Sequence, residues 1–242
     1  MPLVKVIAEL VSPIALSPTG QAPHLDALVI VAMCRHLSQI RESEKHNIQP
    51  RGQAISEQGQ VPIPIRQTWV EQGGKRFPIP HCSAGIIEAT TESVEHYHCS
   101  FPTSRAQLIR EDQRTKIARG GGTYKSFRLP LRKSDTQKVV WFAELREKKE
   151  LNNRSPMSEL RKRLKQIDFI GKKSAYGNGH VSQWTVEETD MAGHWICDGV
   201  LMRPLPVSLV PTETAGKRRS FGAVAAPYWQ ADFFTDCYLP SC

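Results

Sequence analysis

Between Ile167 and Trp184 the chain reads Ile-Asp-Phe-Ile-Gly-Lys-Lys-Ser-Ala-Tyr-Gly-Asn-Gly-His-Val-Ser-Gln-Trp. Gly171, Gly177 and Gly179 remove side chains that would hold a ligand off the backbone, and Lys172 and Lys173 bring positive charge to the same place. These residue types predict an anion-binding loop, with Ser174, Tyr176 and His180 adding a hydroxyl, a ring and an imidazole. The spacing does not fit a nucleotide cofactor. No Ser or Thr follows a Gly-Lys pair, as a Gly-x-x-x-x-Gly-Lys-Ser/Thr loop requires, and the helix precedes the glycines instead of following a Gly-x-Gly-x-x-Gly turn.

Histidine and cysteine also stand close together at His81-Cys82 and His96-Tyr97-His98-Cys99. Zinc sites normally show Cys-x-x-Cys or His-x-x-x-His pairs, and neither stretch does, so no metal and no cofactor is expected.

The elements that must position the loop follow from periodicity. Val4, Val6, Ala8 and Leu10 alternate with Lys5 and Glu9, predicting a half-buried strand over 3–11. Apolar residues at 25, 28, 29, 32, 37 and 40 have helical spacing. Residues 41–60 are polar and read as a surface loop, and Val61–Val70, with Pro62 and Pro64, as an edge strand. Lys138–Leu145 reads as a core strand containing Trp141 and Phe142. Ser155 caps a helix with Pro156 at its first position. Met157, Leu160, Leu164 and Ile167 are its apolar stripe, Gly171 ends it, and Val181–Val186 is the next strand.

Charge supports an anionic partner. Lys and Arg number 32 against 24 Asp and Glu, a net charge of +8. The excess gathers in 105–138, 154–173 and Lys217-Arg218-Arg219, beside glycines, as a phosphate-binding surface requires. In the first of these segments Arg105, Arg114, Lys116, Arg119, Lys125 and Arg128 surround Gly120-Gly121-Gly122, with Phe101, Tyr124 and Phe127 interleaved. Cations for phosphates and rings for bases are what single-stranded nucleic acid uses; a solvated hairpin whose rings fold back on the core is the competing reading. Six cysteines without a Cys-x-x-Cys pair predict free thiols in a reducing cytoplasm, and no apolar run reaches the roughly 20 residues that span a bilayer.

Taken in order, the early strand and His-Leu-Asp helix, the basic hairpin, the Trp-Phe strand, the helix and the Ile-Gly-Lys-Lys-Ser-Ala-Tyr-Gly-Asn-Gly-His-Val loop resemble the RAMP proteins of CRISPR systems. With Arg203-Pro204-Leu205-Pro206 and Pro227-Tyr228-Trp229, the resemblance is to the type IV effector subunits of the Cas-five group. It implies an α+β fold, a ferredoxin-like (RRM-like) βαββαβ domain spanning 1–242. A basic β-hairpin thumb is inserted at 95–135, and 195–242 form a C-terminal extension on the same domain.

The function implied is a non-catalytic subunit that caps the five-prime handle of the crRNA and helps recognise target DNA beside the protospacer. Its partners would be backbone RAMP subunits, a large subunit and a recruited helicase. Carried over by position, RNA binding falls on Gly171, Lys172, Lys173, Ser174, Tyr176, Gly177, Gly179 and His180. The thumb would add Arg105, Arg114, Lys116, Arg119, Tyr124, Lys125 and Arg128, and the C-terminal region Arg203, Lys217, Arg218 and Arg219. The alternative is a metal-independent endoribonuclease that cuts repeat RNA, as some relatives do, with His24, Tyr124, Lys125, Tyr176 and His180 available for proton transfer.

Overall fold

The computed structural model describes residues 2–16, 22–43, 63–89, 91–99, 127–226, 228 and 230–240. In chain order the strands are β1 (Leu3–Leu10), β2 (Ile14–Ala15), β3 (Gln67–Gln72), β4 (Lys75–Pro80), β5 (Ile86–Ile87), β6 (Thr91–Cys99) and β7 (Phe127–Asp135). They continue with β8 (Lys138–Glu144), β9 (Val181–Glu188), β10 (Ile196–Cys197), β11 (Val200–Leu201), β12 (Leu205–Pro206), β13 (Lys217–Ala223) and β14 (Phe234–Pro240). Among the described residues the α-helices are α1 (Leu25–Ser43), between β2 and β3, and α2 (Pro156–Leu164), between β8 and β9.

β1 lies between β8 and β9 in a four-stranded sheet of order β5-β8-β1-β9, antiparallel at every pairing. Strands β1 and β5 therefore run the same way with α1 in the connection between them, and β8 and β9 do so with α2 in theirs. The alternation of β1 puts Val4, Val6, Ala8 and Leu10 into the core. There they meet Leu25, Val29, Ala32 and Met33 of α1, Val139, Trp141 and Ala143 of β8, and Leu160 and Leu164 of α2. Trp141 is fully enclosed, and its indole N–H donates to the Pro23 carbonyl at 2.8 Å, so this ring belongs to the core. The Trp184 indole likewise donates to the Ile167 carbonyl at 2.9 Å.

Two local expectations are revised. Ser155 does accept from the Ser158 amide, with Pro156 at the first helical position, but α2 ends at Leu164. Ile167 reaches the core from the following turn, and Gly171 belongs to the loop beyond. The expected edge strand over 61–70 forms only from Gln67, where β3 pairs with β4 alone. Ile65 makes an isolated antiparallel bridge to Leu145, Ile63 and Ile65 are both fully buried in the main core, and 61–62 lie outside the described residues. The surface-loop expectation for 41–60 falls, beyond Ser43, outside the described residues.

Register in β9 shifts where Glu9 faces Gln183 and Leu10 faces Val181, which bypasses Ser182. This bulge lets Val181 and Val186, of opposite parity, both be buried. A second apolar cluster joins Phe77 and Ile79 of β4 to Leu201, Leu205, Val224 and Cys237, beneath a three-stranded sheet of order β12-β14-β13. No disulfide joins Cys34, Cys82, Cys197 or Cys237. Among the described residues no helix is long and apolar enough to cross a membrane.

Candidate nucleic-acid interface

The segment between β1 and α1 organises the surface around the glycine loop. Its β2 residues Ile14 and Ala15 pair with Ser134 and Lys133 of β7. From the same segment the carbonyl of Ala15 accepts from the Lys172 amide at 2.8 Å, and that of Pro13 from the Gly179 amide at 2.9 Å. Hairpin and loop are thus hung on one short piece of chain.

The three glycines do different things. Gly171 has φ +85°, and a Cβ there would lie 2.6 Å from the Ala15 carbonyl oxygen; at Gly179, φ +68°, it would lie 1.9 Å from the Ile170 oxygen. These two serve the approach of protein backbone, and the Lys172 and Gly179 amides are engaged within the fold. Gly177 differs: φ is +80° and nothing lies within 4 Å of a Cβ there, so it faces open space. Lys173 adopts φ 58°, a left-handed conformation that is costly for a residue with a Cβ, and starts the tight turn Ser174–Tyr176.

The loop meets the hairpin stem through side chains. Asn178, 3 % exposed, donates from Nδ2 to the Tyr97 hydroxyl at 3.0 Å and to the Lys173 carbonyl at 3.2 Å. The Tyr176 ring stands edge-on to Tyr97 with centroids 5.0 Å apart, and Tyr176 is 66 % exposed. Lys173 Nζ lies 5.8 Å from the Tyr97 centroid and 5.6 Å from that of Tyr176; Lys133 Nζ lies 5.8 Å from Tyr97. On the far side of the loop the exposed His180 ring stacks on Phe169 at 4.9 Å. Lys172, Ser174 and Tyr176 are exposed, and the Lys173 ammonium stands against both tyrosine rings. Neither Tyr97 nor Asn178 is among the RNA-binding residues expected from the sequence, because what matters in each is its contact with the other.

Other expected residues are distributed differently. The hairpin stem is fully paired from Thr91↔Asp135 to Cys99↔Phe127, and Arg128, exposed, faces His98 across it. Lower in the stem Arg132 is balanced by Glu92 at 2.5 Å and Lys133 by Glu95. Arg105, Arg114, Lys116, Arg119, Tyr124 and Lys125 lie outside the described residues. Lys217, Arg218 and Arg219 belong to β13 of the C-terminal sheet. There Lys217 donates to the carbonyls of Pro211 and Thr212, Arg219 lies 3.6 Å from Asp236, and Arg218 is exposed on the opposite face.

Arg203 is a correction. It is fully buried, and its guanidinium donates to the carbonyls of Pro80, Cys82 and Val224 and to the Tyr228 hydroxyl, at 2.8–3.0 Å. Asp26 lies 3.7 Å from it and is also held by Tyr228 at 3.0 Å. Such a group is a tie between α1 and the C-terminal segments and is not presented to RNA. His24, 8 % exposed, stacks on Tyr228 at 4.5 Å. Burial, reinforced by the nearby Arg203 charge, lowers its pKa to about 4, so the ring is neutral at pH 7 and enclosed, away from any surface acid–base role.

These features define a class of surface: cation-lined, ring-bearing and built on a mainly β scaffold with two α-helices among the described residues. Residues 2–240 match the family of the CRISPR type IV associated protein Csf3, and the chain belongs to that family. No curated protein matches it.

Proposed function

We propose that this CRISPR type IV associated protein is a non-catalytic RNA-binding subunit of a class 1 ribonucleoprotein effector in the cytoplasm. It caps the five-prime handle of the crRNA and helps recognise target DNA next to the protospacer. The observation that carries this reading is the union of the glycine loop with the hairpin stem: Tyr97, Asn178, Lys173 and Tyr176 in mutual contact, beside exposed Lys172. RNA held by its backbone with splayed bases needs cations and stacking rings on one face. The strand order β5-β8-β1-β9 with its two helical crossovers supports a ferredoxin-like RAMP scaffold. Backbone RAMP subunits and a large subunit are the partners of this reading, with a recruited helicase acting on target DNA.

The test is co-expression with the neighbouring subunits, followed by sequencing of the RNA that co-purifies. A uniform population beginning with the repeat-derived handle is expected, and repeat RNA added without metal should remain uncut. Absence of bound RNA, or RNA of random length and sequence, would count decisively against the assignment.

A further inference from the structure

His81, Glu144 and His194 come from the turn after β4, the end of β8 and the loop before β10. Their potential ligand atoms nevertheless lie within 4.8 Å of one another. His81 Nδ1 is 2.8 Å from Glu144 Oε2. The two imidazoles stack with centroids 5.0 Å apart, and Nδ1 of His194 is enclosed with no hydrogen-bond partner. A buried ring nitrogen without a partner calls for an explanation, and a bound ion is one.

The surroundings match those of a metal ligand set. Arg66 Nη1 donates to Glu144 Oε1 at 2.7 Å, leaving Oε2 turned toward the histidines. Thr68 Oγ1 lies 2.7 Å from His81 Nε2, which leaves Nδ1 as the coordinating nitrogen. Outer partners of this kind orient ligands and set the imidazole tautomer. The Trp195 ring, 4.4 Å from His81, screens one side.

We propose that His81, Glu144 and His194 bind one divalent transition-metal ion, with zinc the best match, and that the ion fastens the loop before β10 to the ends of β4 and β8. Two imidazoles and one carboxylate suit zinc, with a water at the fourth position. Arg66 balances the carboxylate, so the site has no excess negative charge, and it lacks the oxygen-rich shell that magnesium or calcium requires.

The full chain, stripped with a chelator, is titrated calorimetrically with Zn²⁺ and, separately, Mg²⁺. One Zn²⁺ per chain and no Mg²⁺ binding are expected. His194→Gln should weaken Zn²⁺ binding by at least about tenfold, and His194→Cys, which restores a ligand atom, should recover it. His98→Gln, in the exposed hairpin, should bind as the native chain does. No stoichiometric Zn²⁺ binding, or binding unchanged in His194→Gln, overturns the proposal. If His194→Gln does not fold, Co²⁺ added to the native chain decides: absence of the visible absorption of a tetrahedral imidazole-ligated ion overturns it equally.

Discussion

Arg203 and Lys172 are both cations beside a chain-breaking residue, yet one is a core tie and the other a surface charge. The difference lies in acceptors. Asp26, the carbonyls of Pro80, Cys82 and Val224, and the Tyr228 hydroxyl converge on Arg203 from remote parts of the chain. Removing the guanidinium deprives buried Asp26 of its cationic partner. Arg203→Met is therefore expected to destabilise the fold by about 3–5 kcal/mol, seen as a lower urea midpoint. RNA affinity per folded molecule should be unchanged. Lost affinity at native stability would return Arg203 to the interface.

At the scale of elements, the glycine loop is held by β2 and the hairpin stem, and its glycines are not equivalent. Gly179→Ala would force a Cβ against the Ile170 carbonyl in a left-handed backbone and is expected to cost at least about 2 kcal/mol. Gly177→Ala meets nothing and should cost only about 1 kcal/mol, the conformational penalty alone. Equal losses for the two variants in chemical denaturation would contradict this division. If Gly177 is where a ligand approaches the backbone, its alanine variant should also weaken RNA binding more than stability.

For the whole molecule, the net charge of +8 supplies attraction to a polyanion, but local pairing decides where it acts. Arg132, Lys133 and Arg163 are balanced by neighbouring carboxylates, whereas Lys172 is exposed beside the Lys173–tyrosine cluster. Reversing Lys172 and Lys173 to Glu should weaken handle binding and flatten the slope of log affinity against log salt by about 1.4, the value for two phosphate contacts on a single strand. A salt titration identical to the native one would remove this loop from the interface. What the sequence by itself determined is local: the alternation of β1, the Ser155-Pro156 cap, the Trp141 core strand and a loop rich in glycine and lysine. Each depends on neighbours within a few residues, where hydrophobic period and capping chemistry are written directly. Only the tertiary structure decided which cations face outward, which glycines serve chain packing, and that His194 meets His81. Burial, acceptor supply and close approach are set by segments far apart in the chain, and no short window of sequence contains both sides of such a contact.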